Sequence, residues 1–202
     1  MGLAGRINGA LRRIPVWPVY VLGLAPVPWL FWLAATGGLG VEPISALQQR
    51  LGLAGLQVLV AGFAVTPLRR LTGVNLMRFR RALGLVGFGY ILVHVLVWLL
   101  LDLQSWALVR ADILKRPYIT VGMAAFLLLV PLALTSADRA LRWLGPVRWR
   151  RLHRLVYFAL PLGAVHFVMQ AKGWQIEPFA YLAAIMLLLA LRMRLIRARV
   201  AT

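Results

Sequence analysis

The chain has 202 residues, of which 62% are hydrophobic, and its mean hydropathy is +0.82. A water-soluble domain of this size could not hide so much apolar surface, because its exterior has to be largely polar. The formal charge is +18, but the arginines cluster at the ends of apolar segments, which favours a membrane protein over a nucleic-acid-binding one. The absence of cysteine excludes disulfides, thiolate-ligated iron–sulfur clusters and covalently attached c-type heme.

Six apolar segments approach the roughly 20 residues that a helix needs to cross a hydrocarbon core of about 30 Å. They predict an all-α bundle of six transmembrane helices, because in lipid every backbone amide must be paired within the structure. We expect residues 1–202 to form a single membrane domain. In chain order, the predicted spans run from about Val16 to Thr36, Leu51 to Leu68, just after Arg81 to Leu103, Tyr118 to Thr135, Leu152 to Gln170 and Phe179 to Leu195.

The basic residues divide unevenly between the two ends of these spans. The N-terminus, the second and fourth connections and the C-terminal tail carry 18 of the 23 Lys and Arg residues, and the opposite side carries 5. This bias predicts a multi-pass protein of the bacterial inner membrane with both termini in the cytoplasm. The basic inner rim is also expected to contact anionic lipid. The five outer residues are Arg50, Arg110, Lys115, Arg116 and Lys172.

The three histidines, His94, His153 and His166, all fall on the third and fifth predicted spans. A metal-ligating group inside a bilayer is costly and points to function, although a neutral histidine can also bond one helix to another. His94 lies 13 residues after Arg81, and His166 lies 13 residues after His153, which closely follows Arg151. At 1.5 Å per residue, both reach about 20 Å above the inner rim. We therefore predict that His94 and His166 ligate one iron from opposite faces.

Small residues accompany these two histidines. Tyr90 and Gly87 share the helix face of His94, and Gly163 lies below His166 in the same way. They predict a surface that a flat macrocycle can approach, although close packing of helices through glycine would give the same pattern.

The inner histidine has no second histidine at its depth. Arg80, fourteen positions before His94, lies near the level of His153, so an inner heme would need a non-histidine ligand, a water or a vacant position. Thirteen residues turn a straight helix by about 220°, which would point His153 and His166 in different directions unless Pro161 bends the helix. One heme or two are both compatible with this pattern.

Short motifs in a fixed order run through most of the chain. They are Gly37-Gly38-Leu39-Gly40 with Pro43, Thr66-Pro67-Leu68, Arg80-Arg81-x-Leu83-Gly84-Leu85, His94, Arg116-Pro117-Tyr118-x-Thr120-x-Gly122, Leu134-Thr135-Ser136, Trp149 with Leu152-His153 and Val156-Tyr157, and His166. In this order and spacing they resemble the MsrQ family, the heme-binding membrane subunits of bacterial periplasmic methionine sulfoxide reductase systems. That family belongs to the ferric-reductase-like, NADPH-oxidase-like transmembrane group.

The resemblance implies a b-type cytochrome that passes electrons outward to a periplasmic molybdenum-containing subunit, which reduces methionine sulfoxide in oxidised proteins. Catalysis is then expected in the partner. The family's heme ligands carry over onto His94, His153 and His166, with Arg80 near the place of a fourth histidine of the wider group. The resemblance also suggests electron supply from quinol, or from a flavin such as FMN that is reduced by a cytoplasmic reductase.

Two alternatives fit the same residues. The first is a ferric or quinone-linked transmembrane reductase with another acceptor. The second is a transporter or assembly factor whose histidines are structural. The sequence has no Walker loop and no carboxylate pair within a span, which argues against nucleotide-driven or proton-coupled transport.

Overall fold

The computed structural model describes residues 2–171 and 173–200, and the side chains only as far as residue 193. Lys172 and the side chains of Arg194, Arg197 and Arg199, which entered the charge count, therefore lie outside the described residues. The helices are α1 Leu3–Arg13, α2 Trp17–Leu24, α3 Pro26–Ala35, α4 Pro43–Thr72, α5 Arg80–Val97, α6 Trp106–Lys115, α7 Pro117–Leu134, α8 Asp138–Leu152, α9 Val156–Gln170 and α10 Ile176–Val200. Short 3₁₀ turns, Met77–Phe79 and His153–Leu155, precede α5 and α9, and a π-helical turn, Trp98–Leu103, extends α5.

Six stretches of helix in the described part of the chain are long and apolar enough to cross a membrane, which confirms the predicted number of spans. The second span begins at Pro43 rather than at Leu51. Proline at the first helical position starts the helix, and the polar stretch 48–50 consists of good helix formers, so the apolar pattern alone placed this boundary too late. The six stretches are Trp17–Ala35, Pro43–Thr72, Met77–Leu103, Pro117–Leu134, Asp138–Gln170 and Ile176–Met193.

The N-terminal helix α1 was not among the predicted elements. Its apolar side chains recur every four residues on one face, and none of its residues is buried. The Asn8 side chain donates to the Gly73 carbonyl (3.0 Å) and accepts from the Asn75 N–H (2.8 Å). Arg78 donates to the carbonyls of Leu11 (3.1 Å) and Arg12 (2.7 Å) in the last turn of α1. The N-terminus and the second connection therefore lie on the same side of the bundle, as the charge count assumed.

The bundle is organised around two closely packed helix pairs, α4 with α5 and α7 with α9, while α10 packs on α9. Glycine permits the close approach of α4 to α5, since a Cβ at Gly62 would lie 3.2 Å from the Leu83 Cβ. Phe63, Leu160 and Ile185 belong to a buried apolar core that joins α4, α9 and α10. The two helix pairs leave a cavity between them towards the predicted outer side.

The absence of cysteine makes the predicted orientation simple to test. Val41, in the first connection, is fully exposed, and Trp143, in α8, is 84% exposed. If the termini are cytoplasmic, a membrane-impermeant maleimide should label Val41→Cys in intact spheroplasts and Trp143→Cys only after permeabilisation. The reverse pattern would contradict the orientation, and the cysteine-free parent protein provides the blank.

Candidate functional site

His94 of α5 and His166 of α9 face each other across the cavity. Their ring centroids are 6.4 Å apart and their planes are inclined at 74°. The structure thus places the two predicted residues close together on α5 and α9. Two metal–nitrogen bonds of about 2 Å each would account for most of the distance between the centroids. The distance from each ring centroid to its own Nε2 would account for the rest. The spacing suits one metal ion with an imidazole on each side.

Both rings are oriented by a backbone carbonyl of another helix. Nδ1 of His94 lies 2.9 Å from the Gln48 carbonyl oxygen, and Nδ1 of His166 lies 2.7 Å from that of Tyr118. A carbonyl only accepts, so Nδ1 carries the proton in both rings and Nε2 keeps its lone pair. No hydrogen bond among the described residues engages Nε2 of either ring. This is the usual arrangement of histidines that ligate a metal.

The two rings line a cavity of about 820 Å³, which lies within the size range of cofactor sites. Its inner part is apolar, with Leu56, Leu129 and Leu160 among its lining residues, and its rim is polar. Gly163 lines the wall, and a Cβ there would meet nothing within 4 Å. Nitrogen ligands, an apolar floor and room beside the backbone fit a heme with bis-histidine ligation.

The cavity rim carries fixed charges. Arg116 forms an ion pair with Asp112 (3.0 Å) and donates to the Tyr118 hydroxyl (3.3 Å), and Asp112 also accepts from the Trp98 indole (3.3 Å). The hydrogen bond to Tyr118, followed by the Asp112 carboxylate, raises the pKa of the Arg116 guanidinium. This guanidinium therefore stays charged beside the cavity, where it could bind a carboxylate of a cofactor.

Two residues predicted to approach a cofactor lie elsewhere. A Cβ at Gly87 would meet the Leu59 side chain of α4 at 2.7 Å, and Tyr90 is 3% exposed in an apolar cluster with Leu47. Neither is among the residues that line the cavity. The face of α5 that they share with His94 packs along α4, so their predicted contact with a cofactor requires correction.

The inner histidine is engaged with protein groups. The His153 ring stacks on Trp149, with centroids 3.9 Å apart, and its Nε2 lies 3.2 Å from the Thr135 Oγ1. The Thr135 hydroxyl is 2.5 Å from the Pro131 carbonyl, to which it donates, so the His153 Nε2–H donates to Thr135. As placed, His153 does not offer Nε2 to a metal, and the described residues build no second bis-histidine site.

Arg192 occupies an unexpected position. The charge count placed it among the basic residues of the C-terminal tail, but it is 3% exposed and extends from α10 towards α4. It donates to the Phe63 carbonyl (2.8 Å) and the Thr66 hydroxyl (3.1 Å), and its guanidinium lies 4.0 Å from the Phe63 ring centroid. Its Nε–H meets no acceptor among the described residues. The half-buried Arg80 lies within electrostatic range of both Arg192 and His153.

Comparisons with known proteins identify the class. The family model for the ferric reductase like transmembrane component matches residues 51–164. Three curated relatives are named protein-methionine-sulfoxide reductase heme-binding subunit MsrQ. The Agrobacterium fabrum relative is 48% identical over 182 residues, covering 88% of this chain and 83% of the relative. The relatives from Brucella ovis (46% over 179 residues) and Brucella anthropi (45% over 180 residues) each cover 88% of this chain and 81% of the relative. No solved structure is significantly similar to the chain.

The six spans and the family match over more than half of the chain define a multi-pass membrane protein of the ferric-reductase-like transmembrane class. Within that class the chain belongs to the MsrQ family, as the resemblance of its motifs predicted.

Several residues of the site were given no role from sequence. The carbonyls of Gln48 and Tyr118 could not be found there, because a backbone acceptor leaves no mark in the residue type. Tyr118 and Gly122 do belong to a motif that carried the resemblance, and so do Thr135 and Trp149. Their place in these motifs was the sequence signal that could have identified these residues.

Proposed function

We propose that this chain is the heme-binding membrane subunit of a methionine sulfoxide reductase system and carries electrons outward across the bacterial inner membrane. The observation that carries the proposal is the facing pair His94 and His166, each with Nδ1 bonded to a carbonyl and with Nε2 in no hydrogen bond to a described residue. Heme b, when bound there, would accept and release one electron at a time. Reduction of the sulfoxide, which consumes two electrons and two protons and yields thioether and water, belongs to a periplasmic molybdenum-containing partner.

The chain's own residues hold and shield the cofactor. His94 and His166 would hold the heme iron through Nε2, and the carbonyls of Gln48 and Tyr118 keep both rings in the ligating tautomer. The apolar floor of the cavity excludes water from the cofactor. Burial and the identity of the ligands together set the reduction potential of a heme. Gly163 leaves room for a flat group beside α9.

Electrons enter, in this proposal, at the opposite end of the bundle. Arg80, His153 and Arg192 form an inner cluster whose cationic groups suit an anionic or quinone headgroup. A quinol, or a flavin such as FMN reduced in the cytoplasm, would be the donor. The described geometry supports one bis-histidine heme, since a second heme would need a ligand other than the Nε2 of His153.

The proposal can be tested with purified protein in proteoliposomes. The reduced-minus-oxidised spectrum should show b-type bands, and electrons from a quinol in the bilayer or from reduced flavin trapped inside should reach the partner outside. Measuring the rate of electron transfer with each donor alone shows which of the two the protein uses. His153→Ala should slow this reduction about tenfold while the oxidised spectrum stays the same, because the outer ligands are intact.

Three outcomes would contradict parts of the proposal. A folded protein without a Soret band, after expression with sufficient heme, would favour the transporter or assembly factor. A heme-loaded protein that reduces a ferric chelate but not the molybdenum-containing partner would favour the alternative reductase. Unchanged reduction of the His153→Ala variant would remove the inner cluster from the electron path.

A further inference from the structure

The two facing histidines are held by the same local device on two different helices. On α4, the Gln48 carbonyl accepts from His94 and a glycine, Gly52, follows four residues later. On α7, the Tyr118 carbonyl accepts from His166 and Gly122 follows four residues later. Neither Gly52 nor Gly122 has a positive φ, so the backbone conformation does not require glycine at these positions.

Helix geometry explains why a glycine is needed at the fourth position. The carbonyl of residue i already accepts the N–H of residue i+4, so an imidazole must reach its second lone pair from the side. Side chains on a helix lean towards its N-terminus, and the Cβ of residue i+4 therefore lies over the carbonyl of residue i. Only glycine leaves that carbonyl accessible to a ring from a neighbouring helix.

The distances agree with this reasoning at both positions. A Cβ at Gly52 would lie 3.2 Å from the His94 Nδ1, and a Cβ at Gly122 would lie 2.7 Å from the His166 Nδ1. In both cases Nδ1 is the first atom that the methyl group would meet. The added methyl group would therefore press on the nitrogen that donates to the carbonyl.

We infer that Gly52 and Gly122 are positioning residues that fix the tautomer and orientation of the two ligand histidines. The inference rests on the proposed heme ligation and extends it to two residues of the cavity wall that contact the ligand histidines. A ring that keeps its Nδ1–H···O bond is a stronger electron donor through Nε2 and stabilises ferric iron. Weakening that bond raises the midpoint potential.

The test compares alanine variants matched for steric conflict. Gly62→Ala places a Cβ 3.2 Å from Leu83, and Gly23→Ala places one 2.8 Å from Val86, both away from the histidines. Gly62→Ala is therefore the control for Gly52→Ala, and Gly23→Ala is the control for Gly122→Ala. We expect a more positive midpoint potential and altered low-spin electron paramagnetic resonance g values in the Gly52 and Gly122 variants, with the larger change at Gly122. Loss of an outer-shell partner typically weakens metal binding about 10–100-fold, and we expect that range for heme in Gly122→Ala.

The controls separate positioning from packing. Gly62→Ala and Gly23→Ala should lower the thermal stability of the protein without moving the potential or the g values. If the Gly52 and Gly122 variants behave like these controls, the inference is wrong although the ligation stands. If His94→Ala and His166→Ala keep the low-spin spectrum, the ligation itself fails. Should Gly122→Ala not accumulate in the membrane, the milder Gly52→Ala decides the question.

Discussion

Replacing His94 or His166 by alanine is expected to abolish the low-spin spectrum of the bound heme. Each residue supplies one of two facing nitrogens, and the ring centroids, 6.4 Å apart, leave space for a single iron between them. Loss of either ring leaves the iron with one imidazole, because the described residues that line the cavity include no third histidine. Heme content and the α-band of the reduced protein measure the effect.

The matched control is the same substitution at the third histidine. His153→Ala should keep the full low-spin signal, because His153 does not line the cavity and its Nε2 is bonded to Thr135. The assignment would be overturned by the opposite result, in which the low-spin signal survives in His94→Ala or His166→Ala and disappears in His153→Ala. Exogenous imidazole added to His166→Gly offers a further check, since a free ligand can occupy the vacated space.

The depth of His94 and His166 along their helices could be predicted from sequence, because the rise per residue of an α-helix is nearly constant. Counting 13 residues from Arg81 to His94 and 13 from His153 to His166 placed the two histidines at one depth, and the structure brings them together. The six spans could be read for a similar reason, since the thickness of the bilayer fixes the length of an apolar segment.

The direction of a side chain could not be read in the same way. Gly87 and Tyr90 share a helix face with His94, but which partner helix covers that face depends on packing between distant segments. Gln48 contributes to the site only through its carbonyl, which every residue possesses. Arg192 looked like one more inner-rim arginine, because nothing within α10 indicates that it extends to the Phe63 carbonyl.

Arg192→Met is expected to slow reduction of the protein from the inner side by about tenfold to a hundredfold. A buried guanidinium with an N–H that meets no acceptor among the described residues is costly, but Arg192 also donates to the Phe63 carbonyl, which Pro67 leaves without its usual helical N–H partner. If Arg192 is purely structural, its removal therefore lowers the stability by about 1–3 kcal/mol, the cost of a buried acceptor left without a donor, and leaves the rate of reduction unchanged. If Arg192 instead binds the donor, the variant loses a hydrogen bond to a charged group, worth about 1.5–3 kcal/mol, and each 1.4 kcal/mol is tenfold in affinity.

The measurement is the rate of heme reduction at low donor concentration, beside thermal unfolding of the same samples. Arg192→Met should reduce slowly, unfold at a lower temperature because the Phe63 carbonyl loses its donor, and keep the oxidised spectrum of the outer heme. Arg192→Lys keeps the charge but loses the planar fork, so its rate should fall between those of the methionine variant and the parent protein. A methionine variant that unfolds at a lower temperature yet reduces at the parent rate would show that Arg192 serves only to join α10 to α4. In that case the buried charge would have to be explained by its contacts with Phe63, Thr66 and Tyr157.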